Sequence, residues 1–162
     1  MRFLDQSRTV LDDDKSVFEN ITDGNEQLPF GTATIDSRAY LARFNFRGED
    51  QQRKVSECSG GQRNRVMLAK MLREPANLII MDEPTNDLDL DTLRVLEEAI
   101  EHYPGSMIIV THDRYFLNRV ATHILSFEGE DEDGVGIVHF HHGDYESFKD
   151  WKKSRGEDVD ER

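Results

Sequence analysis

The stretch "LIIMDEPTNDLDLDTL", residues 78–93, opens with four large apolar residues and then turns acidic at Asp82 and Glu83. A short apolar run of this kind predicts a strand that is buried on both faces, as in parallel sheets covered by helices. Ligands of such sheets gather beyond the carboxyl ends of the strands, which is where Asp82 and Glu83 stand. The stretch therefore predicts an α/β fold with an acidic site at one edge of a parallel sheet.

Apolar runs and helical spacing continue to alternate on the carboxyl side of this stretch. Strands are predicted at residues 107–111 and 122–127, and helices at 91–103 and 113–120. This alternation is typical of a parallel sheet. A small hairpin in residues 135–145 and a helix from about 144 to 153 are predicted to follow.

The amino-terminal part is predicted to be one short strand followed by a helical lobe. The strand lies at residues 2–5, and helices are predicted at about 14–21 (capped by Asp12 to Asp14), from Asp36 and from Ser59, with turn-rich residues 22–35 between the first two. We therefore expect three segments: residues 1–76 with the strand and helical lobe, 77–128 with the α/β core, and 129–162 with a hairpin, a helix and an acidic tail.

The amino-acid composition limits which binding partners and which cellular compartment we expect. Acidic residues outnumber basic ones by 33 to 20, for a net charge of −13, and this field repels phosphates, so non-specific nucleic-acid binding is not expected. The single cysteine, Cys58, excludes an internal disulfide and a cysteine-cluster zinc site. No apolar run reaches the roughly 18 residues of a membrane span, and no signal-peptide pattern follows Met1. We expect a cytoplasmic chain without a membrane partner.

Asp82 and Glu83 have the chemistry to support hydrolysis of a nucleoside triphosphate. Asp82 would hold Mg²⁺ through its hydration shell, and Glu83 would orient and deprotonate the attacking water. The next strand ends in Thr111, His112 and Asp113, so His112 shares the rim with Glu83 if the two strands are neighbours. Its neutral imidazole would then bond a γ-phosphate oxygen or the water, while Asp113 is better explained as the cap of the next helix. The alternatives are an acidic strand-to-loop turn and an ordinary polar histidine.

The stretch "CSGGQRNR", residues 58–65, predicts a helix that begins with a phosphate contact. Ser59 followed three residues later by Gln62 is a capping box. Gly60 and Gly61 in the first turn each cost on the order of 1 kcal/mol relative to alanine. That cost is explained if backbone N–H groups must touch a phosphate, which the helix dipole also favours, and Ser59 would add a hydroxyl donor. The alternative is a purely structural cap on a core helix.

Together these stretches resemble the motifs of ATP-binding cassette proteins. "CSGGQ" resembles their signature loop, "LIIMDEPTNDLDLDTL" their Walker B strand, catalytic glutamate and D-loop, and "IIVTHDRYFL" their switch-histidine segment. "DEPTNDLD" with "THDR" is similar to the ABC-F subfamily, soluble ATPases with paired cassettes that act on the ribosome. The resemblance runs from about Phe3 to Lys153. It implies a partial nucleotide-binding domain, with a P-loop NTPase-like parallel sheet and a helical signature lobe.

The resemblance also implies a role for each matched position. The matches are Gln6 to the Q-loop glutamine, Ser59, Gly60, Gly61 and Gln62 to the signature, Asp82 and Glu83 to the Walker B pair, Asp89 to the D-loop aspartate and His112 to the switch histidine. By this resemblance Glu83 and His112 are catalytic, Asp82 and Gln6 lie near the metal, and the other matched residues bind nucleotide. The implied substrate and cofactor are ATP and Mg²⁺, and the implied partners are an upstream or separate cassette and the ribosome.

Two departures from the family pattern change the expectation for this chain. Cys58 stands in place of the usual signature leucine, a small apolar substitution that should disturb little. No stretch reads Gly, four residues, Gly-Lys-Ser/Thr, which is the Walker A loop and the phosphate cradle. In the family, two cassettes sandwich two ATP molecules, and the signature of one cassette caps the ATP held by the other. We therefore expect this chain to offer its signature to ATP held elsewhere, and to expose strand edges and apolar surface where the Walker A strand would lie.

Three interpretations follow from this pattern. The favoured one is the C-terminal part of an ABC-F ATPase that couples ATP binding and hydrolysis to the regulation of translation, with the isolated chain binding ATP weakly or not at all. The second is a free-standing, non-hydrolysing signature donor that docks on an intact cassette. A chromosome-maintenance ATPase lobe fits poorly, because Gln6 precedes the signature here.

Overall fold

The computed structural model describes residues 2–4, 10–74, 76–130 and 134–156, with the backbone alone described for 2–4. The chain forms two compact units, Met1–Thr111 and His112–Arg162. The three-segment division by sequence stays a prediction about functional organisation.

The first unit contains a parallel sheet and a helical lobe. In chain order its elements are β1 (Arg2–Leu4), α1 (Val17–Thr22), β2 (Gln27–Phe30), β3 (Ala33–Asp36), α2 (Ser37–Arg43), α3 (Gly60–Leu72), β4 (Leu78–Asp82), α4 (Leu90–Glu101) and β5 (Ser106–Val110). The sheet has the order β1-β4-β5 with both pairings parallel, which confirms the predicted architecture.

The central strand β4 is better buried than its neighbour β5. Ile79 and Met81 are almost fully buried, whereas on the neighbouring β5 the side chains of Ile108 and Val110 remain 50% and 52% exposed. Within the described strands β5 has a pairing partner on one side only. The described part of the sheet thus has exposed apolar side chains on β5, and their link to the place of a Walker A strand stays a prediction.

The helical lobe packs around α3. Its buried residues include Val17, Ile21, Leu41, Phe44, Phe46, Val55, Val66 and Ala69. Tyr40 donates a hydrogen bond to the Ala69 carbonyl over 2.9 Å, and Arg73 donates to the Ile21 carbonyl over 2.7 Å. These bonds tie α2 and α1 to the carboxyl half of α3, so the position of α3 is set by the lobe core.

Two features of the lobe differ from the sequence prediction. The first helix begins at Val17 because Ser16, not Asp12 to Asp14, forms the capping box with Glu19. Residues 22–35, predicted to be turns, contain most of the antiparallel hairpin β2–β3. Each of its strands is four residues long and neither alternates cleanly between apolar and polar positions, so the period-2 signal of a strand is missing.

The second unit consists of α5 (Arg114–Val120), β6 (His123–Glu130), β7 (Gly136–His142) and α6 (Tyr145–Ser154). β6 pairs antiparallel with β7 and not with the parallel sheet, which corrects its predicted placement. The predicted hairpin in residues 135–145 supplies only the second strand of this pair. A short apolar run does not specify which strand it pairs with. β7 follows β6 closely in the sequence, so the loop between them is short and closing it costs little entropy.

The β6–β7 hairpin has two different faces. On one face His139 and His141 contact the indole of Trp151 from α6. The other face carries apolar side chains that are each more than half exposed: Leu125, Phe127, Val138 and Phe140. None of the helices in the described ranges is long and apolar enough to cross a membrane.

Candidate functional site

The amino end of α3 has the capping box that the sequence predicts. Ser59 Oγ accepts the Gln62 N–H over 3.2 Å, and Gln62 Oε1 accepts the Ser59 N–H over 2.9 Å. Ser59 and Gly60 are exposed, and a methyl group built on Gly60 would meet no atom within 4 Å. The first turn of α3 is therefore open to a ligand.

Gly61 has a different environment from Gly60. A methyl group on Gly61 would overlap the carboxylate of Asp89, and the buried Thr92 donates its hydroxyl to the Gly61 carbonyl over 3.4 Å. Close approach by the start of α4 thus explains the missing side chain at Gly61. No described atom lies within 4 Å of a methyl group on Gly60, so this packing does not explain the glycine there. The phosphate contact of both glycines stays a prediction.

Asp89 is the N-cap of α4 and lies against α3. Its carboxylate accepts the Thr92 N–H over 2.7 Å. Hydrogen bonding from Thr92 lowers the pKa of Asp89 below its ordinary value, and the charge of Arg65 on α3 adds to the shift. Asp89 therefore remains ionised at neutral pH while it contacts α3.

The acidic pair lies at the carboxyl end of β4. Asp82 is exposed and pairs in register with Val110 of β5. Glu83 has a φ of 44°, its N–H donates to the Val110 carbonyl over 2.8 Å, and its Oε2 accepts the Thr111 hydroxyl over 3.3 Å. A left-handed conformation at a residue other than glycine costs on the order of 1–3 kcal/mol and persists where the surroundings impose it. Glu83 is thus held in a strained turn at the sheet rim.

Thr111 is the residue of this site to which the sequence interpretation assigned no role. By sequence it is only a polar residue at the end of a predicted strand. The signal that would have identified it is the neighbouring position of β4 and β5, because the residue after β5 then faces the residue after β4.

The oxygen ligand at Asp82 suits Mg²⁺. Within the described residues no group of three or more His, Cys, Asp or Glu side chains is arranged to hold a metal. Mg²⁺ keeps several waters and is commonly bound through one or two carboxylates plus substrate phosphates. A single exposed carboxylate at a sheet rim therefore fits this ion better than one that needs a full protein cage.

Two other predicted positions, Gln6 and His112, stay predictions. Gln6 falls outside the described residues. His112 is exposed and opens the second unit, and Asp113 caps α5 as predicted, accepting the Phe116 N–H over 3.0 Å.

A parallel sheet with an acidic strand end, joined to a lobe whose helix α3 has an open amino end, is the arrangement expected of an ATP-binding cassette domain. Residues 1–86 match the family described as ABC transporter. This match covers more than half of the 162 residues, and the chain belongs to the ATP-binding cassette family.

Individual relatives with similar sequences include two translational throttle proteins. It is 48% identical over 150 residues to the energy-dependent translational throttle protein EttA of Haemophilus influenzae, covering 93% of this chain and 26% of the relative. It is 41% identical over 155 residues to EttA of Mycobacterium tuberculosis, covering 96% and 28%. The chain thus spans about a quarter of the length of these curated relatives, and the resemblance to the ABC-F subfamily is confirmed.

Solved structures show the same fold. The RNase-L Inhibitor superposes with a TM-score of 0.60 at 23% identity, covering 95% of this chain and 30% of that one. The archaeal ribosome recycling factor aABCE1, in complex with the ribosomal stalk protein aP1, gives a TM-score of 0.59 at 23% identity, with the same coverage. These likenesses confirm the fold class, a partial ABC-type nucleotide-binding domain.

Proposed function

We propose that this chain supplies the signature, the D-loop and the catalytic acidic pair of an ABC-F ATPase that couples ATP binding and hydrolysis to the regulation of ribosomal translation. Its immediate partner is a second cassette, and the complete protein acts on the ribosome in the cytoplasm. Support comes from the two relatives with 48% and 41% identity, both called energy-dependent translational throttle proteins.

The observation that carries the proposal is the open first turn of α3. The hydroxyl of Ser59 accepts the Gln62 N–H and still has its own hydrogen to donate, because a hydroxyl is donor and acceptor at once. Gly60 leaves the backbone uncovered, and the positive end of the helix dipole favours an anion. This end of the helix suits a phosphate held by another cassette.

Glu83 is the proposed general base. The Thr111 hydroxyl orients its carboxylate, which accepts a proton from the water as that water attacks the γ-phosphorus. The bond from the γ-phosphorus to the bridging oxygen breaks, and ADP leaves with the electron pair. Mg²⁺ at Asp82 would neutralise charge on the β- and γ-phosphate oxygens, with Gln6 as a further group near the ion. We assign His112 a hydrogen bond to a γ-phosphate oxygen.

A chimera tests this proposal. The chain replaces the matching segment of the H. influenzae throttle protein, to which it is 48% identical. The chimera is expected to hydrolyse ATP, and Glu83→Gln is expected to keep ATP binding while lowering kcat by about a hundredfold or more. Glu101→Gln, the same change at an exposed position of α4, serves as the control. Equal turnover of the two variants would show that Glu83 is not the base.

The signature assignment is tested in the same chimera. Ser59→Arg places a long side chain where the phosphate contact forms, so hydrolysis should be lost. Ser154→Arg, at an exposed serine at the end of α6, should leave hydrolysis unchanged. Normal ATPase activity of the Ser59 variant would contradict the proposed contact.

The second candidate is a signature donor that acts on a separate cassette. The observation that favours it is that no stretch of the printed sequence has the Walker A pattern of Gly, four residues, Gly-Lys-Ser/Thr. Adding the chain to the intact H. influenzae throttle protein would then change its ATPase rate, and Ser59→Arg would abolish this change. The isolated chain should show no ATP binding by calorimetric titration under either proposal; a tight stoichiometric titration would contradict both.

A further inference from the structure

The first turns of α3 and α4 touch at one small surface. Gly61 provides the α3 side, where its bare Cα lies against the Asp89 carboxylate. Thr92 provides a second link by donating its hydroxyl to the Gly61 carbonyl over 3.4 Å. Asp89 and Thr92 are also bonded to each other, through the Thr92 N–H over 2.7 Å. These three residues therefore form a closed contact between the two helix starts.

A positive charge on α3, that of Arg65, strengthens the contact between Gly61 and Asp89. Arg65 lies one helical turn after Gly61, and its positive charge acts on Asp89. The Arg65 guanidinium stands over the Phe46 ring at 5.8 Å, which limits where this charge can move. A carboxylate that only capped α4 would not need a glycine and a cation on the neighbouring helix.

We propose that Asp89 is a positioning residue that locks the signature end of α3 to the D-loop, so that a displacement of one helix start is transmitted to the other within the same chain. Its consequence at the nucleotide rests on the proposed function: when a phosphate moves Ser59, the D-loop moves with it. The lock itself is a property of this chain without nucleotide. Its test therefore needs no ATP, and failure of the lock is distinguishable from failure of the ATPase proposal.

The experiment compares two alanine substitutions in adjacent glycines of the 162-residue chain, using amide hydrogen exchange by NMR. Gly61→Ala should push the Asp89 carboxylate away from the Thr92 N–H and raise exchange at Thr92 and Leu93 about fivefold, the effect of losing a helix cap. Gly60→Ala makes the same change one residue earlier, where a methyl group meets nothing within 4 Å. It should leave exchange at both α4 amides as in the unsubstituted chain.

The reciprocal experiment acts from the α4 side and also covers the case in which Gly61→Ala does not fold. Asp89→Ala should raise exchange at Gln62 and Arg63 in α3, although Asp89 caps only α4. Asp89→Asn keeps the capping oxygen and should restore slow exchange. Asp144→Ala removes the equivalent cap of α6, where Asp144 accepts the Ser147 N–H over 2.8 Å, and should not affect α3.

Two results would overturn the proposal. One is an Asp89→Ala chain in which only α4 amides exchange faster, since Asp89 would then be an ordinary helix cap. The other is a folded Gly61→Ala chain whose Thr92 amide exchanges as slowly as in Gly60→Ala.

Discussion

Replacement of Ser59 by aspartate should separate the stability of the signature helix from its proposed contact with phosphate. Aspartate keeps an oxygen that accepts the Gln62 N–H, the bond that now measures 3.2 Å, and it caps helices as well as serine. Its charge adds about 0.3–1 kcal/mol at the positive end of the helix dipole. The free energy of unfolding of the chain should therefore stay unchanged or rise slightly.

The same charge should oppose binding of a phosphate at this position. Two unit charges about 4 Å apart repel by about 4 kcal/mol at an effective dielectric constant of about 20. This energy weakens closure over ATP by about a thousandfold, so the Ser59→Asp chimera should lose most of its ATPase activity. Ser59→Ala should behave differently: it removes the cap and lowers stability by about 1 kcal/mol, but it adds no repulsion.

Urea denaturation followed by circular dichroism measures the first effect. With a slope of about 2 kcal/mol per molar urea, the alanine variant should unfold at a midpoint about 0.5 M lower than the aspartate variant. Steady-state ATPase assays of the chimeras measure the second effect. The reasoning is refuted if the aspartate chimera hydrolyses ATP normally, or if the aspartate chain unfolds at the same midpoint as the alanine chain.

Acid should destabilise the second unit through Glu128. Burial raises the pKa of this carboxyl group, but the hydrogen bond from Lys152 and the charge of Lys152 lower it by more, so the net pKa lies below the ordinary value. The ionised form of Glu128 therefore stabilises the folded unit. This stabilisation is complete above the unfolded pKa of about 4.3 and is lost as the pH falls through the lower folded value; melting curves by tryptophan fluorescence should show it, and Lys152→Met should flatten the pH dependence. Tyr40→Phe should lower the free energy of unfolding by about 1 kcal/mol in urea, because it removes a buried 2.9 Å hydrogen bond; an unchanged midpoint would contradict this. Thr111→Val in the chimera should slow hydrolysis about fivefold without changing ATP affinity, since a hydrogen bond worth about 1 kcal/mol orients Glu83; Thr111→Ser should restore the rate, and equal rates for valine and serine would exclude this role.

Much of the fold and of the candidate site could be predicted because the signals lie within a few residues of each other. The capping box of Ser59 and Gln62 spans one helical turn and forms as predicted. The apolar run before Asp82 is a strand of the parallel sheet, and Asp113 caps its helix. Each cap has both of its partners within one helical turn, and the strand is predicted from a continuous apolar run, so none of these features requires knowledge of the chain path.

Contacts between distant segments were not predictable in this way. The pairing of β6 with β7 is a contact between two strands, and a short apolar run does not encode its partner. The left-handed Glu83 and its bond from Thr111 depend on two strands ending side by side.

The sequence by itself determined the family, the elements around the signature and the acidic pair, because these depend on residue type and short spacing. Only the tertiary structure decided why Gly61 is a glycine, since the Asp89 carboxylate that excludes a side chain there arrives from 28 residues further along the chain. The physical reason is steric: two helix starts can approach this closely only where one of them has no side chain.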